Sequence, residues 1–192
     1  MGQTIRTFVA VEIDDAVRSA AVELIEQFRT SGADVNWVEA DNLHLTVQFL
    51  GEVTLTDTAD ICQALGRAAA EVQPFELAMG GAGAFPTAAR PKTVWLGSRG
   101  DDRPMLDLHK QVEKRLQKLG FRPEARRYQP HLTLGRVKSA GPELKTLAEM
   151  LAQRAEYPAG TTWVEELVLF SSRLTPEGPI YEPLGRSKLG SR

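Results

Sequence analysis

Tyr128-Gln129-Pro130-His131-Leu132-Thr133-Leu134-Gly135-Arg136 decides the reading, because its centre repeats an earlier stretch, His44-Leu45-Thr46-Val47. The chain has 3 histidines, and two of them stand in these copies. In each copy apolar residues alternate with polar ones and β-branched residues are frequent, which predicts a β-strand. Residues i and i+2 of a strand share a face. His44 and Thr46 therefore point away from Leu45, Val47 and Phe49, and His131 and Thr133 point away from Leu132 and Leu134. Each strand offers an apolar side to a core and an imidazole-plus-hydroxyl side to something polar.

The copies are 87 positions apart, as are Asp14-Asp15 and Asp101-Asp102, and as are the strand starts at Ile5 and Lys92. A fixed offset of this kind predicts two copies of β-α-β-β-α-β. The expected fold is α+β: two pseudo-symmetric lobes, about 1–87 and 88–185, in one bilobal domain spanning 1–192. Antiparallel sheets should face each other across a central cleft, helices should lie outside, and 186–192 should be a frayed tail. Strands are expected over 5–13, 35–39, 43–50, 75–85, 92–98, 131–137, 163–170 and 180–184. Gly51-Glu52 should begin a turn. Helices should follow Asp14-Asp15 and Asp101-Asp102, start at Thr56 or Asp57, and take Pro142 in a first turn.

With 192 residues and 42% apolar side chains, the chain has ample material for a core. No apolar run approaches the roughly 20 residues of a membrane span, and no basic segment precedes an apolar one at the start. A cytoplasmic protein without a membrane partner is expected. Met1-Gly2 resembles a myristoylation start but has Arg6 where Ser or Thr is wanted. Cys62 stands alone within a helical pattern and is expected to be a small core residue. The net charge of −2 conceals an asymmetry. Residues 1–85 hold 4 basic and 13 acidic side chains, 86–138 hold 13 and 5, and 139–192 hold 6 and 7. An anionic partner should lie towards the basic middle. Lys110, Lys114, Arg115 and Lys118 read as a solvated helix surface, whereas Arg122, Arg126, Arg127 and Arg136 flank the second motif.

Zinc needs three or four ligands, usually with some closely spaced; no His pair or Cys pair has that spacing, and His109 falls on a helix surface. Gly97-Ser98-Arg99-Gly100 is not the nucleophile elbow of a serine hydrolase. Gly80-Gly81-Ala82-Gly83 lacks the Lys-Ser/Thr ending of a phosphate loop and reads as a bulged strand. Paired acid and base catalysis remains: an imidazole with a pKa near 6.5 can be proton donor or acceptor, and the Thr hydroxyls can donate hydrogen bonds to an anionic centre. Phosphate, approachable from opposite sides, suits the symmetry. A lone His-x-Thr would more often be structural, and its duplication reverses those odds. The tryptophans read as core or cleft wall, with Trp37 or Phe49 able to stack on a base.

Four sets of residues carry a family resemblance: Asn42 to Glu52 with Pro130 to Arg136, the opening Ile5 to Val11, Phe85-Pro86 to Arg90-Pro91 with Trp95-Leu96-Gly97, and Phe121 to Arg126. The chain resembles the 2H phosphoesterases, and more narrowly the RNA 2′,3′-cyclic phosphodiesterases, also called 2′-5′ RNA ligases. The resemblance implies a metal-independent enzyme that opens 2′,3′-cyclic phosphate ends of RNA to 2′-phosphates, some members also joining or cleaving 2′-5′ linked RNA; no cofactor and a monomer are expected. It implies that His44 is proton donor and His131 proton acceptor, and that Arg136, following the second motif, is a phosphate ligand; Thr46 and Thr133 are expected to hold the phosphoryl oxygens through their hydroxyls, and Arg126, in the basic segment before the second motif, is the second candidate arginine. Strict alternation from His131 puts Arg136 on the core side, a conflict that a bulge at Gly135 would resolve. A non-catalytic binder of RNA ends and a phosphodiesterase for a small cyclic nucleotide are the competing readings.

Overall fold

Helical and strand periodicities fold the chain into an outer set of helices and one twisted sheet. This computed structural model describes residues 4–176 and 178–190. The elements are β1 (Thr4–Val11), α1 (Asp15–Arg29), β2 (Val35–Trp37), β3 (Leu45–Thr54), α2 (Asp57–Ala69), β4 (Phe75–Thr87) and β5 (Arg90–Arg99). There follow α3 (Arg103–Gln117), β6 (His131–Val137), α4 (Glu143–Gln153), β7 (Pro158–Val164), β8 (Glu166–Thr175) and β9 (Gly178–Lys188). Each helix buries one stripe. In α1 it is Val17, Ala21, Leu24, Ile25 and Phe28, and in α3 it is Met105, Leu108, Val112 and Leu116. The Asp14 carboxylate, placed to cap α1, instead accepts the Trp163 backbone N–H at 2.8 Å and ties that helix start to β7.

Among the described residues the strands form one antiparallel sheet in the order β7-β4-β5-β6-β3-β1-β8-β9, with β2 added on β6. The 87-residue offset matches β1 to β5, β3 to β6 and β4 to β8. The third pair is exchanged: β4, from the first copy, lies beside β5, and β8, from the second, lies beside β1. Sheet pairing thus crosses the 87/88 boundary in both directions. The cause is chain economy, because β4 and β5 close as a hairpin with Thr87 opposite Arg90, and sequential strands pair by preference. The α+β class, the pseudo-symmetry and the outer helices are as expected. The halves are joined between β3 and β6 by the single register pair Leu45↔Leu132, and the cleft opens from there.

Several expected boundaries are corrected. Gly51-Glu52 do not begin a turn: the register with β1 slips at Leu50, Gly51 takes a φ of 75°, and β3 runs on to Thr54. The expected strand 163–170 is two strands that part at Glu165 and serve opposite halves of the sheet. Its unbroken run Leu167-Val168-Leu169-Phe170 is buried on both faces, with Leu167 and Leu169 in the main core and Val168 and Phe170 in a smaller cluster with Phe8 and Ala10. No strand in the second copy corresponds to β2 among the described residues; 121–130 is irregular. The tail is not frayed through 190. Arg186 pairs with Glu12 and Glu166, Leu189 is buried, and its N–H bonds Glu165 O at 2.7 Å. Residues 191–192 of that expectation, and the Met1-Gly2 start, lie outside the described residues. Cys62 is partly buried and packs on the core, with Gly185 of β9 close against its sulfur.

Candidate active site

The two motifs meet where the halves join. Since Leu45 faces Leu132 in register, their neighbours His44 and Thr133, and Thr46 and His131, come side by side on the opposite face of the sheet. The apolar members are buried, Leu45 and Leu132 at 0% exposure and Val47 at 1%. Local alternation together with one register pair therefore brings both His-x-Thr faces to one cleft.

Both imidazoles are held by the same device. His44 Nδ1 lies 2.7 Å from Asn42 O, and His131 Nδ1 lies 2.7 Å from Gln129 O. A carbonyl only accepts, so each Nδ1 carries the hydrogen and each Nε2 is left as the working nitrogen. Asn42 and Gln129 are themselves 87 positions apart. His44 Nε2 is 3.0 Å from Thr46 Oγ1, a contact in which the hydroxyl donates while the ring is neutral.

The surroundings of the rings differ. His44 is wedged among aromatics: stacked on Phe8 at 4.8 Å and edge-on to Tyr181 at 5.3 Å, with Phe170 behind Phe8 at 5.3 Å. Burial pushes its pKa down to about 4, with the Asn42 carbonyl opposing and Arg136 adding to the fall. His131 meets Phe85 edge-on at 5.0 Å and Trp95 at 6.5 Å. Burial lowers its pKa as well, its carbonyl partner opposes, and Arg136 lowers it further. Both rings are thus neutral at pH 7 in the free protein.

Arg136 reaches the cleft because β6 is irregular. Trp95 pairs with Thr133 and Val94 with Gly135, so Leu134 is skipped and alternation inverts by one residue. Gly135 is required at that point: a Cβ there would come within 2.7 Å of both the Trp37 ring and Val35 Cγ1 of β2. Arg136 is exposed, points between Thr93 and Asn36, and carries no ion pair among the described residues.

Two compartments make up the cleft. One, of about 270 Å³, holds His131 with Phe85, Arg126, Arg127 and Gln129. The other, of about 490 Å³, holds His44 with Arg6, Asn42 and Tyr181. Thr46, Phe49, Thr133 and Arg136 line both. The structure therefore brings His44, His131, Thr46, Thr133 and Arg136 together, and sets Arg126 on the wall of the His131 side. Trp37 is 8% exposed and stacked on Phe28, which removes it as a base platform. Phe49, expected on the core side with Leu45 and Val47, is instead 53% exposed in the cleft, because the register with β1 skips Val47 and inverts the alternation. His109 is not a free surface residue: it is half-buried and stacked on Tyr128 at 4.1 Å, and Tyr128 donates to Thr46 O at 3.0 Å. The aromatic box of Phe8, Phe170 and Tyr181 was not anticipated. The 87-residue offset pairs Phe8 with Trp95, an aromatic beside each histidine, and so flags one of these positions; it pairs Phe170 with Gly83, and Tyr181, on a strand outside the repeat, has no such signal.

A duplicated α+β scaffold with two His-x-Thr strands on one cleft is the two-histidine phosphoesterase arrangement. A sequence model of the 2′-5′ RNA ligase superfamily matches residues 16–175, and the chain belongs to that superfamily. An RNA 2′,3′-cyclic phosphodiesterase of Methanothermobacter thermautotrophicus is 36% identical over 178 residues, covering 92% of this chain and 95% of the relative. The crystal structure of a Thermus thermophilus protein superposes with a TM-score of 0.82 at 26% identity, over 98% of this chain and 100% of that one. E. coli LigT complexed with 3′-AMP gives a TM-score of 0.75 at 26% identity, over 98% of this chain and 100% of that one.

Proposed function

We propose that this protein hydrolyses the 2′,3′-cyclic phosphodiester end of RNA to a 2′-phosphomonoester by paired-histidine acid-base catalysis. The observation that carries the reading is the pair of imidazoles, each clamped through Nδ1, with Nε2 turned to one cleft that two threonines and Arg136 share. His131 Nε2 takes a proton from water as its oxygen bonds to phosphorus. The P–O3′ bond breaks, and His44 Nε2–H delivers its proton to O3′. This order of roles is the one the family resemblance implies. Thr46, Thr133 and Arg136 donate to the non-bridging oxygens, and Phe49 offers its exposed face to the base.

His44 must hold a proton to act as acid, yet in the free protein its pKa is about 4. An anionic phosphate against Arg136 offsets the charge that depresses it and favours the imidazolium. The ligand therefore arms its own acid. With a 5′-hydroxyl in place of water the same step joins two strands 2′-5′, and the His131 compartment, at about 270 Å³, far exceeds the roughly 30 Å³ share of one water.

Incubation with an RNA bearing a 2′,3′-cyclic phosphate, with the product phosphate mapped by phosphorus NMR, should yield the 2′-phosphate alone. A 3′-phosphate or an unchanged end would overturn the proposal, the latter in favour of a non-catalytic RNA-end binder. Turnover of nucleoside cyclic phosphates but not of RNA ends would favour the small-nucleotide reading.

Two further results are expected. Because kcat/KM reports the free enzyme and kcat the complex, kcat/KM should follow a bell whose basic limb already descends below pH 6.5, reflecting the depressed His44. The kcat limb should lie at higher pH, since bound phosphate raises that group; the apparent values belong to the coupled pair. A kcat/KM that stays level or rises between pH 6.5 and 9 would count against two-histidine chemistry. EDTA should leave the rate unchanged, because no three His, Cys, Asp or Glu side chains come together to hold a metal among the described residues, and Glu124 is the one carboxylate among the described residues of the cleft wall. A loss restored by a divalent ion would mean that the acid-base scheme is incomplete.

A further inference from the structure

A second groove, of about 900 Å³, begins where the strands of the catalytic cleft end. Arg136 and Thr93 form a register pair and line the His131 compartment. The next residues outward, Val137 and Lys92, line this groove. It passes between the β4–β5 hairpin turn and the start of α4, and its wall carries Arg90, Lys92, Lys138 and Lys145. All four are exposed, and no carboxylate is among the described lining residues. Asp34, 4.0 Å from Lys138, takes up part of one charge. Leu144 and Ala148 of α4 form an apolar floor.

Two arguments fix the occupant. The chemistry requires an anion at Arg136, and the groove adjoins that positive site around the strand ends: Lys92 and Val137, next to Thr93 and Arg136, alternate to the face that carries α4, and Lys138 follows directly. A terminal 2′,3′-cyclic phosphate also ends its chain, so all remaining phosphates of the substrate leave the cleft in one direction. A run of cations adjoining the cleft mouth is the electrostatic footprint of such a chain, and an apolar floor between them suits the edges of riboses. We propose that this groove binds the phosphodiester backbone of the substrate RNA on the 5′ side of its reacting end. The inference rests on the cyclic-phosphodiesterase reading.

The test compares the wild type with Arg90→Gln/Lys92→Gln/Lys138→Gln/Lys145→Gln. A control of similar charge loss, Lys110→Gln/Lys114→Gln/Lys118→Gln, lies on α3 and just past its end. Two readouts are taken across a salt series: binding of an RNA of about a dozen nucleotides with a 3′-terminal phosphate, by anisotropy, and turnover of a nucleoside 2′,3′-cyclic phosphate. Each phosphate contact on a single strand adds about 0.7 to the slope of log K against log salt. The groove variant should therefore lose a slope of up to about 3 and bind at least tenfold more weakly at low salt, while turning over the nucleoside cyclic phosphate normally. The α3 control should match the wild type.

Unchanged RNA binding and slope in the groove variant would overturn the proposal, as would an equal loss in the control, which would signal net charge alone. A parallel fall in nucleoside turnover would also overturn it, because the groove would then be acting through the catalytic cleft. If the wild type opens no cyclic phosphate but binds RNA with a slope that only the groove variant loses, the catalytic reading fails and the groove stands.

Discussion

His44→Ala and His131→Ala are each expected to lower kcat on a 2′,3′-cyclic phosphate by about 10²–10⁴, the usual worth of one general acid or base. At about 1.4 kcal/mol per decade, that is roughly 3–5 kcal/mol of barrier. The double variant should lose little beyond the worse single one, since each group works only when the other does. Steady-state rates with circular dichroism as a fold check would measure this, and near-normal turnover in either variant would remove that histidine from the mechanism. His44 sits in an aromatic box, so His44→Gln, which fills the site without titrating, separates chemistry from packing. Stability supplies a second readout. His44 titrates at about 4 folded against about 6.5 unfolded. Between those values the unfolded chain binds more protons, so the stabilisation from a neutral His44 is present above pH 6.5 and is lost as pH falls towards 4. His44→Gln should flatten the fall in Tm between pH 7 and 5.

Arg136→Ala should cut kcat/KM for the same substrate by about two decades or more, in the range of a lost charge-assisted hydrogen bond in a catalytic site. Arg136→Lys should recover only part of it, because a point charge does not replace a planar fork. The variant also separates two effects. Without the guanidinium, the pKa values of both imidazoles should rise, since Arg136 lowers each of them. The basic limb of kcat/KM should therefore shift to higher pH while its plateau falls. A variant that melts earlier but turns over with normal kcat/KM would make Arg136 a structural residue and leave Arg126, on the cleft wall, as the phosphate ligand.

Much of the site was legible in the chain because the decisive geometry is local. A strand alternates with period two, so His-x-Thr must share a face. The clamp from each Nδ1 reaches only two residues back, to Asn42 and Gln129. The 87-residue offset then implied that two such faces existed and were related by symmetry. What periodicity cannot encode is the partner of a strand. That Leu45 meets Leu132, that β4 and β8 change halves, and that one apolar run ends in two strands at opposite sides of the sheet are outcomes of long-range pairing.

Arg136 shows the division within one residue. By sequence alone it belonged with Leu132 and Leu134 on the core side, and Gly135 marked only where that rule could fail. The tertiary structure decides the matter. β2 packs Val35 and Trp37 so closely on Gly135 that no side chain fits, β6 bulges against β5, and the inversion turns the guanidinium into the cleft. The depressed pKa of His44 has the same origin, since Phe8, Phe170 and Tyr181 come from three different strands. The sequence by itself determined which imidazoles and hydroxyls would share a strand face and that they would come as a pair. Only the packed sheet determined how dry they are and which arginine stands beside them, because burial and charge proximity depend on neighbours far apart along the chain.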